Sequence, residues 1–314
     1  MAHDNAAVAG RRRWVKPTPA PWARLRRYLS RQEVQTAYAF LAIPMLLLLL
    51  IKVYPVVYNL YLSFTTYELA GPPRWVGLKN YAWVLTARVN QRALVNTILY
   101  AVGAVPLGTA LALLVAVLLN RPLRGRLLYR VLYYLPVVTS AVVVAMVWRL
   151  IYNPQSGLLN ALLGAIGLPA QKFLSSEQQA LPCLIVVMIW GALGYNMVIY
   201  LAGLQDIPPE LYEAARIDGA SDVQYFWHVT LPLLNPVTLF IVVSSAVGVF
   251  RSFSIVYMMT QGGPNYATTN LVWEVYTNAF SFLRFGRAAA ISITLLVIVL
   301  AISLLQFRLI RMED

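Results

Sequence analysis

The stretch "YAFLAIPMLLLLLIKVYPVVYNLYLSF", residues 38–64, has one charged residue, Lys52, in its whole length. A spanning helix needs roughly 20 mostly apolar residues, and in hydrocarbon only a helix or a closed barrel satisfies its own backbone. Six such stretches occur, at about 36–64, 93–119, 128–152, 182–204, 233–258 and 287–308. The chain therefore reads as an all-α polytopic membrane protein with six transmembrane helices. Composition agrees. Only 12% of the 314 residues are charged and the mean hydropathy is +0.65, whereas soluble domains carry about 25% charged residues. The first stretch follows a basic tail, as a signal peptide would. It is too long and lacks a small-residue cleavage site, so it reads as an uncleaved anchor.

The net charge of +13 does not indicate nucleic acid. Eight of the 25 basic residues lie in the first 31 positions, a juxtamembrane tail suited to anionic lipid, and no interleaved aromatics or groove-sized basic helix follow. Residues 1–33 are expected to be a disordered, lipid-facing cytoplasmic tail ahead of a permease domain at 34–314. Lys and Arg in the connecting segments set orientation. With the N-terminus inside, fifteen fall inside and seven outside. Both termini are expected in the cytoplasm, and the same parity places 205–232 there.

A single cysteine, Cys183, excludes an internal disulfide and a paired-thiol metal site, and two histidines exclude an imidazole-rich centre. No Gly-x-x-x-x-Gly-Lys-Ser/Thr loop is present to cradle ATP phosphates, so no cofactor is expected on this chain. None of the six spans has Asp or Glu near its centre, which argues against a stand-alone secondary transporter coupled to ions. Nothing clusters as a nucleophile with a base, and His228 is isolated, which argues against a membrane enzyme. Gly103 with Pro106, Pro136, and Gly191 with Gly194 disturb spans. Such breaks fit either ordinary kinks or a solute path. "TNLVWEVYTNAFSFL" (269–283) places Leu271, Val272, Val275, Tyr276, Ala279 and Phe280 on one helical face, expected along the membrane interface.

The acidic segment "ELYEAARIDGASDVQYFWHVTLPLL" (210–234) stands apart. Pro208 and Pro209 can open a helix, and Glu210 suits the positive end of its dipole. Asp218-Gly219 stops it, since Gly accepts a left-handed turn. Ser221 can cap a second helix, "DVQYFWHV", ending at Leu231-Pro232. The small residues Ala214, Ala215, Gly219 and Ala220 allow another surface close to the backbone, while Glu213 and Asp218 offer carboxylates to its arginines. On residue chemistry alone, a plain connector is an equal reading.

"EAARIDGASDVQYFWHVTLP" closely resembles the EAA loop of permease subunits of ATP-binding-cassette importers, on Glu213, Ala214, Ala215, Asp218, Gly219, Ala220, Phe226, Leu231 and Pro232. "TQGGPNYAT" (260–268), "YLPVVTSAVVVAMVWRLIYNPQSGLLN" and "YPVVYNLYLSF" resemble the carbohydrate branch, the maltose and glycerol-3-phosphate type. The likeness runs from about residue 35 onward. It implies the type I importer permease architecture, with the EAA loop at 206–232 as a cytoplasmic coupling helix-turn-helix. It also implies residence in a bacterial or archaeal cytoplasmic membrane and several partners: a second, homologous permease, two ATP-binding subunits that hold ATP and Mg, and an extracytoplasmic solute-binding protein. An amino-acid or peptide importer is the alternative, which the Gly-Gly-Pro segment disfavours. By the same resemblance the helices flanking the loop line a sugar path. The first offers Trp190, Tyr195 and Asn196, and the second offers Ser245, Gly248, Arg251 and Ser252. At Gly248 and Val249 the maltose-type permease has an aromatic and an amide, so a maltose-like pose is not implied. Arg251, costly within a span, either binds an anionic or hydroxyl-rich solute or pairs with a partner carboxylate. Trp190 and Tyr195 serve equally as packing residues.

Overall fold

The computed structural model describes residues 32–68 and 71–311. The predicted tail therefore lies outside the described residues, except Gln32 and Glu33, which open the first helix. Contacts divide the chain into two units, residues 1–58 and 59–314. Helix α1 (Gln32–Leu48) passes through a π-turn (Leu49–Val53) into α2 (Tyr54–Ser63), which crosses from the first unit into the second. All of the first unit's described side chains are at least partly exposed.

In the second unit a two-residue hairpin pairs β1 (Thr65–Thr66) with β2 (Arg74–Trp75). Then come α3 (Lys79–Thr86), the 33-residue α4 (Arg88–Asn120), α5 (Arg126–Val138), α6 (Ala141–Ile151), α7 (Leu158–Ala165) and α8 (Ala180–Gln205). The acidic segment forms α9 (Pro209–Ile217) and α10 (Asp222–Tyr225), a π-turn (Phe226–Thr230) and α11 (Leu231–Leu233). The chain closes with α12 (Asn235–Phe250), α13 (Phe253–Met259), α14 (Leu271–Tyr276), a π-turn (Thr277–Ser281) and α15 (Phe285–Arg311). Among the described residues four helices are long and apolar enough to cross a membrane, and up to six crossings result if each of two bent pairs counts as one.

The bent pairs differ from the simple spans expected. The predicted span 128–152 is two helices, α5 and α6, meeting at 102°. Pro136 sits in the last turn of α5, where its ring removes a backbone donor, and Ser140 is extended with φ −58° and ψ 131°. The second bend, 66°, separates the helix pair ending at Leu233 from α12. The predicted span 233–258 is likewise interrupted at Arg251-Ser252, between α12 and α13.

Helices α4 and α8 form the spine. Ala104, Gly108, Ala112 and Ala116 recur every four residues along one buried face of α4. Such small residues let helix backbones approach closely where no hydrophobic effect drives association. The face meets Leu184, Val187, Met197, Tyr200 and Leu204 of α8 in two buried clusters. Gly194 of α8 lies against the backbone of Tyr133 and Tyr134 in α5, with no room for a Cβ.

At the Arg88 end of α4, the segment after α13 is pinned by side chains rather than by regular structure. Asn96 donates to the carbonyls of Tyr266 (3.0 Å) and Thr269 (2.9 Å), and Tyr100 donates to that of Thr268 (3.0 Å). Thr97 accepts from the Leu271 amide at 3.1 Å. Gln261, Asn265 and Tyr266 hold positive φ in this loop, a cost that the bonds from α4 sustain. At Gly262, φ +81°, a Cβ would come 2.8 Å from Trp273 Nε1. The segment 269–283 departs from the helical face predicted for it. Its buried residues are Thr269, Asn270, Leu271, Glu274, Asn278 and Ala279, while Phe280 is exposed. The π-turn at 277–281 adds a residue to the ladder and rotates the later side chains.

Candidate functional site

A cavity of about 410 Å³ opens where α4, the α5–α6 break, α8 and α12 converge. Ala104 and Gly108 wall it from α4, and Pro136 and Thr139 from the break. Tyr195, Asn196 and Gly191 come from α8, and Ser245, Gly248 and Ser252 from α12 and its end. Asn196 is buried and donates to Ser245 Oγ at 3.1 Å, which ties α8 to α12 at the cavity wall. A second tie follows one turn on, from Tyr200 Oη to Thr238 Oγ1 at 3.1 Å. The polar groups on the wall are neutral hydroxyls and amides, and such groups orient a ligand within a mainly apolar pocket.

Five of the seven residues predicted for the solute path thus meet in one cavity: Tyr195, Asn196, Ser245, Gly248 and Ser252. The other two do not. Trp190 packs edge-on against Trp148, with ring centres 5.7 Å apart, and borders a smaller cavity with Tyr133 and Pro136. Arg251 occupies the break between α12 and α13, exposed and outside the cavity wall. Sequence reading missed Gly108 and Thr139, and named Gly191 only as a break that fits either a kink or a solute path. They are small or weakly polar, so only the packing of four elements around them gives them a place.

The acidic hairpin assembles from its caps. Pro209 occupies the first turn of α9. Gly219 adopts φ +76°, which brings the Ala220 amide to the Ala215 carbonyl at 2.9 Å and ends the helix. Ser221 then forms a capping box: its Oγ accepts from the Gln224 amide, and its own amide donates to Gln224 Oε1 at 2.8 Å. Tyr212 and Tyr225 meet edge-on at 5.5 Å and join the two helices. The second helix extends past Leu231-Pro232 to Leu233, because a π-turn ends where the proline needs no donor.

Of the residues predicted to contact a partner, Glu213, Ala214, Asp218 and Gly219 are exposed, and Ala215 and Ala220 half-exposed. Glu213 and Asp218 have no ion-pair partner among the described residues. Ile217, which sequence reading passed over, is 86% exposed between them.

A helical bundle with a cavity at a break between helices and a capped polar hairpin is compatible with a membrane transport component. The chain belongs to the family described as binding-protein-dependent transport system inner membrane component, whose family model matches residues 104–312. It is 37% identical over 276 residues to the probable ABC transporter permease protein YurN of Bacillus subtilis, covering 86% of this chain and 94% of that one. It is 34% identical over 276 residues to the sn-glycerol-3-phosphate transport system permease protein UgpA of Agrobacterium fabrum, covering 87% and 94%. Among solved structures, a bacterial ABC transporter involved in import of the acidic polysaccharide alginate aligns with TM-score 0.81 and 25% identity, over 92% of this chain and 98% of that one.

Proposed function

We propose that this chain is one of two permease subunits of a carbohydrate importer, and that it contributes half of the solute path and passes the work of separate ATPases to that path through its hairpin. In this reading the 410 Å³ cavity is the chain's share of the path. Its hydroxyl and amide groups suit a hydroxyl-rich solute. The relatives named for glycerol-3-phosphate and alginate transport support a sugar or sugar-like cargo. The six crossings count the α5–α6 pair as one and take α12, beyond the 66° bend, as another. Both termini and the hairpin face the cytoplasm of a bacterial or archaeal cell, as the distribution of Lys and Arg favours.

One observation carries the coupling. The hairpin interrupts the chain between α8 and α12, and those two helices wall the cavity and are bonded to each other through Asn196–Ser245 and Tyr200–Thr238. Asn196 lies nine residues from the end of α8, about 14 Å at 1.5 Å per residue. A push on the hairpin therefore acts on both walls at once, as rigid-body rocking requires. ATP and Mg are held by two partner ATP-binding subunits, whose cleft receives Ile217 between Glu213 and Asp218. A second, homologous permease completes the cavity, and an extracytoplasmic solute-binding protein delivers the cargo.

Purification of the tagged chain from its native membrane in mild detergent tests this. A P-loop ATPase and a second permease carrying an EAA loop are expected to co-purify, and the ATPase is expected to be lost from Gly219→Pro. A chain emerging alone, or a Gly219→Pro variant that retains its ATPase, contradicts the assignment.

A further inference from the structure

A second cavity, of about 630 Å³, lies between the hairpin and the Asn120 end of α4. It belongs to neither the solute path nor the exposed hairpin tip. One wall is a stripe on α4, with Leu114 exposed and Leu113 and Val117 half-exposed at the edge of the cluster buried against α8, whose Leu204 also lines the cavity. Trp227 closes it from the hairpin side. The rim is of opposite character. Arg121 and Arg216 lie on it, with Asp222 as the acid that lines it. Arg121 Nη2 contacts Asp222 Oδ2 at 3.3 Å, with side chains 59% and 67% exposed. So exposed a pair is worth little and yields readily to a competing anion. Arg124 and Arg126 follow in the next turn of chain.

We infer that this cavity seats an anionic phospholipid of the cytoplasmic leaflet, with its phosphate between Arg121 and Arg216 and an acyl chain along Leu113, Leu114 and Val117. The inference rests on the orientation and coupling role proposed above. Charge complementarity selects the occupant. The rim carries one more cation than anion, and it sits where α4 ends at the membrane boundary, so a lipid already in the leaflet meets it with its phosphate at rim height. A basic rim over an apolar wall on the cytoplasmic side is the chemistry that binds acidic headgroups, and an amphipathic Trp suits the same depth. The seat touches Tyr212 and Arg216 of α9 and Tyr225 of α10. An occupied seat braces the hairpin against α4, so lipid composition sets how firmly a push on the hairpin reaches the bundle.

Native mass spectrometry of the assembled transporter, titrated with phosphatidylglycerol or with phosphatidylcholine of the same chains, tests the seat. Each arginine near an anionic headgroup contributes about fivefold, so the wild type is expected to prefer phosphatidylglycerol by roughly thirtyfold. Arg121→Ala with Arg216→Ala removes that preference. Leu114→Trp weakens both lipids by filling the apolar wall. Asp222→Asn strengthens phosphatidylglycerol binding, because it frees Arg121, whereas a purely structural ion pair predicts no gain. Size-exclusion profiles confirm that each variant is assembled. No headgroup preference in the wild type, or one that survives the double variant, overturns the inference. So does displacement of the lipid by millimolar inorganic phosphate, which makes a soluble anion the ligand. Loss of the second permease from the double variant, with lipid binding unchanged, makes the cavity a subunit contact. A complex that binds lipid as expected but carries amino acids and no sugar contradicts the carbohydrate reading and leaves the seat intact.

Discussion

A methyl group added to Gly194 would overlap the Tyr133 carbonyl oxygen, whereas one added to Gly191 or Gly248 meets nothing within 4 Å. The first glycine permits close packing of α8 on α5, and the other two leave space open in the cavity. Gly194→Ala is expected to cost about 1–3 kcal/mol by overpacking and to lower the melting temperature of the purified complex. Gly191→Ala and Gly248→Ala are expected to leave it unchanged. Gly248→Phe is expected to fold, assemble and block uptake by filling the cavity. Uptake at the wild-type rate in Gly248→Phe would remove the cavity from the path. A buried acid gives a second prediction. Glu274, outside the spanning helices, accepts from Thr269 Oγ1 at 2.7 Å. Burial pushes its carboxyl above the ordinary range, and the Thr269 bond pulls weakly the other way. A raised folded-state pKa means that the stability Glu274 contributes is full below the ordinary carboxylate range and is lost as pH rises through the raised value. Glu274→Gln should therefore melt with the wild type in acid and above it at pH 8. Equal melting at both would show that the carboxyl ionises at no cost.

Elements differ in how openly their residues announce them. The hairpin is legible because its stops are local: Pro209 opens a helix, Gly219 ends it, and Ser221 with Gln224 begins the next. The long spans are legible because length and apolarity alone define them. The right-angled α5–α6 break and the three π-turns are not. Pro136 permits the break and Pro232 follows one of the π-turns, but no local residue pattern dictates that they form. The cavity was half legible for a related reason. Asn196 and Ser245 carry chemistry, whereas Gly108 and Gly191 matter only through the space they leave. Two predictions belong here. Ser221→Ala is expected to cost about 1 kcal/mol of cap stability and to raise amide exchange in α10 more than in α12. Asn96→Ala withdraws the donor for two carbonyls and should speed amide exchange across 260–270 while the spans stay protected. Unchanged exchange in that loop would mean that Tyr100 and Thr97 hold it unaided.

At the scale of the whole molecule, two helices that wall a cavity are continuous with a hairpin whose Glu213 and Asp218 have no ion-pair partner among the described residues. The family places such a chain among inner-membrane transport components. In the coupling proposed above, force entering at Ile217, Glu213 and Asp218 would move α8 and α12 together, because Asn196–Ser245 and Tyr200–Thr238 join them. The most direct test reconstitutes the complete complex, with its solute-binding protein, in proteoliposomes and measures uptake and ATP hydrolysis side by side for the wild type and Gly219→Pro. The variant is expected to insert and assemble its permease pair but not to retain its ATPase, and so to show no uptake and no hydrolysis stimulated by the loaded binding protein. Uptake and stimulated hydrolysis at wild-type rates in Gly219→Pro would contradict the account, because the hairpin would then be a connector and the work would reach the cavity by another route.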